Sequence, residues 1–134
     1  MRRGALTLLL SAALFSGCRQ QPHLAERVKA AGGADALRAE CLGFVAAYEA
    51  SGGQQRNWLP YQTNYPPTIA ALGPRAVQAG LQDGVVLVHL GFVISPHPYG
   101  LYVAPKGCPP GFVPQRPLGS RISKLTDGVF EYAE

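Results

Sequence analysis

Val85 to Ile94 reads VVLVHLGFVI, bounded by Asp83-Gly84 on one side and Ser95-Pro96 on the other. The run is rich in β-branched residues and apolar at both odd and even positions. A strand apolar on both faces belongs in the middle of a sheet, with a helix over at least part of one face. Gly91 inside it implies a bulge or a close backbone approach. Pro96 to Gly100 (PHPYG) then reads as a turn, and Leu101 to Ala104 (LYVA) as the partner strand.

Toward the C-terminus, Arg121–Leu125 and Val129–Glu134 flank Thr126-Asp127-Gly128. Asp-Gly is a strong two-residue hairpin signal. The expected register sets Thr126 against Val129, Leu125 against Phe130 and Lys124 against Glu131, an apolar pair on one face and an opposite-charge pair on the other. Phe130 and Tyr132 share a face, expected beneath a helix. Between the strands, Pro105 to Pro114 (PKGCPPGFVP) is irregular, and its prolines hold Cys108 in place.

Toward the N-terminus, Leu37, Cys41, Phe44, Val45 and Tyr48 fall at helical spacing within Asp35–Ala50. Abundant Ala favours the helix and Ser51-Gly52-Gly53 stops it. Leu24–Ala31 supplies a preceding turn or two of helix, ended by Gly32-Gly33. Thr68–Leu72 is a short second helix, with Thr68 as the cap, Gly73 as a left-handed end and Pro74 as a block. Gly52–Pro67 is a long loop carrying Trp58, Tyr61 and Tyr65 among prolines. Sequential hairpins without βαβ alternation make the expected fold α+β. Its main amphipathic helix (35–50) packs on an antiparallel sheet of about four strands, with the short helix at 68–72. Residues 24–134 form one small domain.

The chain begins MRRGALTLLLSAALFSGC, Met1 to Cys18. Arg2 and Arg3, a short apolar run and small residues before a cysteine have the layout of a secretory signal peptide. Phe15-Ser16-Gly17-Cys18 resembles the lipobox of bacterial lipoproteins, although that family most often has Leu where Phe15 stands. The resemblance covers the first eighteen residues and implies diacylglycerol on the Cys18 sulfur, cleavage after residue 17, and a tether over 18–23. More than one acyl chain holds a protein stably on a membrane. Arg19 follows the cysteine where some Gram-negative bacteria place an Asp for inner-membrane retention. The implied address is thus the cell envelope, at an outer membrane facing the periplasm in a Gram-negative organism. The alternatives are a plain secretory signal with a chance cysteine, or an uncleaved anchor. The apolar run of about eleven residues is far short of the roughly twenty that a spanning helix needs.

Composition narrows the function classes. Two of the twelve Lys+Arg leave with the signal, so ten remain against eight Asp+Glu, scattered and without a basic run. Nothing there fits nucleic acid. In an oxidising compartment Cys41 and Cys108 are expected to pair as a disulfide, closing a loop worth roughly 4 kcal/mol. The alternative is two free thiols packed as small hydrophobes.

His23, His89 and His97 lack metal-ligand spacing, the cysteines form no CxxC, and there is no GxSxG, GxGxxG or P-loop. No cofactor or metal is expected. His89 on its apolar strand reads as a hydrogen-bonded core residue, and the aspartates as caps and turns. Trp58, Tyr61 and Tyr65 either line a ligand groove or cover one edge of the core. His97 and Tyr99, held between prolines, form either a plain turn or a rigid recognition tip. Three functions follow from these residues. The first is a lipid-anchored envelope protein with a structural or protein-binding role and an envelope protein as partner. The second is a small-ligand-binding lipoprotein using loop 58–65. The third is a hydrolase-like enzyme using His89 or His97.

The layout of an amphipathic helix, a Tyr-Pro-Pro-Thr…Ala-Leu segment (Tyr65 to Leu72) and an antiparallel sheet is also similar to the soluble part of pilin-like proteins. In that family the helix packs across the sheet. Pilin precursors are cut at a Gly before a long apolar helix, which this chain lacks, so pilus assembly is not implied.

Overall fold

Three helices precede most of the sheet: α1 (Leu24–Ala31), α2 (Ala34–Ala50) and α3 (Pro67–Leu72). The computed structural model describes residues 23–93 and 96–134. The signal stretch, Cys18 and the tether up to residue 22 lie outside the described residues, as do Ile94 and Ser95. α2 buries Leu37, Cys41, Phe44 and Val45, the stripe expected from its spacing, and α1 buries Leu24 and Val28 one turn apart. Gly73 ends α3 in the left-handed conformation at φ 67°.

The start of α3 corrects the expectation for Thr68. The helix begins at Pro67, whose missing N–H costs nothing at that position, and Thr68 is buried inside the first turn. The cap comes instead from α2, where the Glu40 carboxylate accepts from the Thr68 and Ile69 backbone N–H groups at 2.9 and 3.0 Å. At the other end Arg27 of α1 donates to the Leu72 carbonyl at 2.8 Å. An anion at the N-terminus and a cation at the C-terminus both oppose the helix dipole. This lets a six-residue helix hold its place between two longer ones.

The sheet has six strands, not about four: β1 (Asn57–Trp58), β2 (Ala76–Gln82), β3 (Val85–Val93), β4 (Tyr99–Val103), β5 (Arg121–Thr126) and β6 (Val129–Ala133). Their order is β1-β2-β3-β4-β6-β5, with every neighbour antiparallel. β3 lies inside, as its two-sided apolar character requires, and its register slips by one residue between Gly91 and Val93. β2 was hidden because its alternation is thin: Val77 and Ala79 are buried while Leu81 is exposed. It is joined to β3 by Asp83-Gly84, both at positive φ, the two-residue turn that fits a twisted hairpin.

The two sheet faces differ. On the helix face Val77, Val88, Leu90, Phe92, Leu101, Val103 and Val129 meet the buried stripes of the helices. On the opposite face Val85, Leu87, Tyr102, Ala104, Phe130 and Tyr132 form a second cluster, packed by Cys108 and Phe112 of the proline-rich loop. Phe130 and Tyr132 are therefore not under the long helix. The β5–β6 register also departs from expectation. Thr126 does face Val129, but Leu125 is a bulge, so Lys124 pairs with Phe130 and Ser123 with Glu131. The bulge lets Leu125 pack on the helix face while Ile122 reaches Tyr132 on the loop face. An unbroken register would send Ile122 to the wrong side. Lys124 instead bridges Asp127 at 2.7 Å.

The expected Cys41–Cys108 disulfide is absent, and both cysteines are free. Cys41 is buried with the helices and Cys108 packs against the cluster on the far face, so the two side chains belong to different cores.

Candidate functional site

A row of side chains crosses the loop face from edge to edge. The strand registers align Asn57, Gln78, His89, Tyr102, Phe130 and Lys124 as successive cross-strand partners. Four are tied by hydrogen bonds or stacking. Gln78 donates through Nε2 to Asn57 Oδ1, and its Oε1 lies 3.3 Å from His89 Nδ1. His89 Nε2 lies 2.7 Å from the Tyr132 hydroxyl, one register step along β6. A consistent sense has Tyr132 donating to Nε2 and Nδ1–H donating to Gln78, which fixes the neutral tautomer. Tyr102 stacks on the imidazole at 4.7 Å, 19° from parallel.

Gly100 makes that arrangement possible. A Cβ there would overlap the Leu90 carbonyl oxygen and stand 2.8 Å from the Tyr132 hydroxyl. With none present, the Tyr132 ring lies across β4 toward His89. Burial lowers the His89 pKa from 6.5 to about 4 and pushes those of Tyr102 and Tyr132 up, the latter also through Tyr102. At neutral pH the imidazole is uncharged, with both nitrogens engaged. A polar recess of about 120 Å³ lies over this row, between Gln55, Gln78, Gln82 and His89.

A larger open cleft, about 860 Å³, lies beside it, between the loop after β4 and the β5–β6 hairpin. Its apolar lining includes Phe112, Val113, Ile122 and Phe130, and Cys108 opens onto it. Arg38, Lys106 and Lys124 bring three cations to its walls, against the single carboxylate of Asp127. The Asp127 side chain is 96% exposed and so points to solvent. The walls are held from several sides. Lys106 bridges Glu49 of α2 at 2.6 Å, Arg38 donates to the Asp127 carbonyl at 2.6 Å, and Gln82 accepts from the Gln115 N–H at 2.7 Å. Arg38 also pairs with Asp35. Paired charges around an apolar floor are what a small-molecule site needs, and the volume lies in the range such sites occupy.

The residues singled out from sequence end up apart. Trp58 is buried, edge-on to Phe44 at 5.1 Å, with Arg56 over its ring at 4.6 Å. Tyr65 is half-buried and donates to the Trp58 carbonyl, whereas Tyr61 is 81% exposed. None of the three lines either cavity, so loop 58–65 covers the edge of the helix-face core. Tyr99 lies in β4, stacked on Phe92 at 5.7 Å, and exposed His97 stands 3.6 Å from the Glu134 carboxylate. Sequence reasoning missed Arg38, Lys106, Phe112 and Lys124 as one site. The one signal was the apolar pair Phe112-Val113 inside a loop otherwise built of Pro, Gly, Lys and Cys108.

Among the described residues no helix is long and apolar enough to cross a membrane, and no group of three His, Cys, Asp or Glu could hold a metal. No protein-family model, curated protein or solved structure matches the chain.

Proposed function

We propose that the chain is a lipid-anchored protein of the cell envelope that binds a small ligand in the cleft between the Pro105–Val113 loop and the β5–β6 hairpin. The cleft carries the reading: about 860 Å³, lined by Phe112, Ile122 and Phe130 together with the cations Arg38, Lys106 and Lys124. Its address follows from the resemblance of Phe15-Ser16-Gly17-Cys18 to a lipobox, with acyl chains on Cys18 and, in a Gram-negative organism, the outer membrane on its periplasmic side. The ligand role that was one of two alternatives for Trp58, Tyr61 and Tyr65 thus moves to the other end of the sheet. His89 serves as a half-buried neutral strut that ties β3 to β2, β4 and β6.

Protein isolated from its own membranes tests this. Native mass spectrometry should show a retained small molecule that is lost in Phe112→Asp, and Cys18→Ser should lose both the acyl mass and membrane attachment. A wild-type protein with no retained mass, or one that fractionates as soluble, would contradict it. A protein-binding role is the second reading, favoured by β5, which among the described residues lies at the sheet edge with β6 as its one strand neighbour. Such an edge can accept an added strand, although Lys124 and the Leu125 bulge are features that blunt edge pairing. An envelope partner seated there would be disrupted by Ser123→Pro.

A further inference from the structure

We infer that the cleft takes a single-chain anionic amphiphile, a molecule of the fatty-acid class, with its chain on Phe112, Ile122 and Phe130 and its acid group between Lys106 and Lys124. The inference rests on the ligand-binding reading above and adds the ligand's chemistry.

Charge complementarity chooses the head group. Arg38, Lys106 and Lys124 line the cleft, while Asp127, its only carboxylate, is turned to solvent. All three cations already have acidic partners, in Asp35, Glu49 and Asp127. The partners of the two lysines, Glu49 and Asp127, are 49% and 96% exposed, and exposed pairs are weak. An acid group with an apolar chain fixed on the cleft floor competes with them at little cost. A neutral ligand would make no use of Arg38, Lys106 and Lys124, and a cation would find in the lining only the solvent-facing Asp127 carboxylate. The chain supplies affinity without direction, at about fourfold per fully buried methylene, whereas the head group sets selectivity.

Cys108 lines the same cleft and serves as a local reporter. The test uses the full lipidated chain in nanodiscs of zwitterionic lipid. Iodoacetamide modification of Cys108 is followed by peptide mass spectrometry, with buried Cys41 as the internal control. Protection is compared at equal free concentrations of hexanoate, octanoate, decanoate and decanol. The expected result is protection rising with chain length, decanoate acting at about tenfold lower concentration than decanol. In the Lys106→Gln/Lys124→Gln double variant decanoate should fall to the decanol level while decanol is unchanged. Protection is scored as a ratio within each protein, so a changed intrinsic Cys108 reactivity does not enter.

Equal protection by decanol and decanoate overturns the anionic class yet leaves a ligand cleft standing. No protection by any chain, with a retained neutral mass in the native spectrum, likewise overturns only this inference. No protection and no retained mass together remove the cleft reading as well. Protection produced by anionic nanodiscs alone, without free amphiphile, overturns the monomeric ligand in favour of a membrane surface.

Discussion

The two faces of one sheet do different work here. On the helix face Leu37, Ile69, Leu90 and Leu101 have essentially no solvent exposure, and three helices seal the strands. On the loop face a proline-rich segment covers part of the second cluster, a polar row crosses the strands, and a cleft stays open. Leu90 and Leu101 point one way from β3 and β4, while His89 and Tyr102 on the same strands point the other. Stability is thus concentrated on one side, which leaves the other free to carry polar and charged groups that a small core could not bury.

The sharpest way to break that contrast is truncation on each side. Leu101→Ala should cost about 2–5 kcal/mol, since a fully buried leucine leaves a cavity that helices on a rigid sheet cannot close. Ile122→Ala, at a half-buried site beside the cleft, should cost roughly 1 kcal/mol. Urea denaturation of both variants measures the difference. Equal losses would mean that the loop face is as much a core as the helix face.

Next in size is a pH effect confined to the loop face. The His89 pKa is lowered from 6.5 to about 4, with burial as the cause. The unfolded chain therefore takes up this proton first. The stability contribution is complete above about pH 6.5 and is lost as the pH falls toward 4, by an amount on the order of 3 kcal/mol. His89→Gln lacks that component. Urea midpoints at pH 7 and 4.5 should show wild type losing more than the variant, and parallel losses would place the imidazole in solvent.

The contrast between faces also marks what the sequence made legible. Helical spacing in Asp35–Ala50 and the apolar run Val85–Ile94 located α2 and β3, because each has enough buried residues to show. β1 and β2 were lost for the opposite reason. Trp58 is the single buried residue of a two-residue strand, and Leu81 breaks the alternation of β2 by facing solvent. The Asp83-Gly84 turn could have revealed β2, for the same dipeptide marked β5 and β6. The Leu125 bulge escaped because local pairing of Leu125 with Phe130 looked favourable, whereas the loop-face cluster rewards Ile122 beside Tyr132. The cleft was the least legible feature. Arg38 lies on α2, Lys106 and Phe112 on the proline-rich loop and Lys124 on β5, and only the fold brings these three segments together.

A smaller effect returns to the helix face and asks whether its short helix depends on its neighbours. Glu40→Ala removes the carboxylate that accepts two N–H groups at the start of α3. About 1–2 kcal/mol should be lost, in the range of a deleted cap, and Glu40→Gln should lose less because one acceptor oxygen survives. Thermal or urea unfolding ranks the three proteins. An unchanged Glu40→Ala would show that packing of Ile69 and Leu72 alone holds the helix.

The smallest change in stability is expected at Cys108, where the two faces can be told apart by thiol chemistry. Cys41 is fully buried under α2, and burial, with a further push from the Glu40 carboxylate, raises its pKa well above the ordinary thiol value. A thiol held neutral and dry is inert. Cys108 lines the open cleft and is partly exposed. Without any reductant, alkylation of the folded protein should therefore mark Cys108 and spare Cys41, and in urea both should react. Cys108→Ser should shift the unfolding free energy by no more than about 0.5 kcal/mol, as for other surface changes. Cys41→Ser, which puts a hydroxyl into the helix-face core, should cost more. A chain that resists alkylation at both positions until reduced would carry the bridge that the separation of the two cores argues against. Equal labelling of both thiols in the native state would instead show the helix face opening as readily as the cleft.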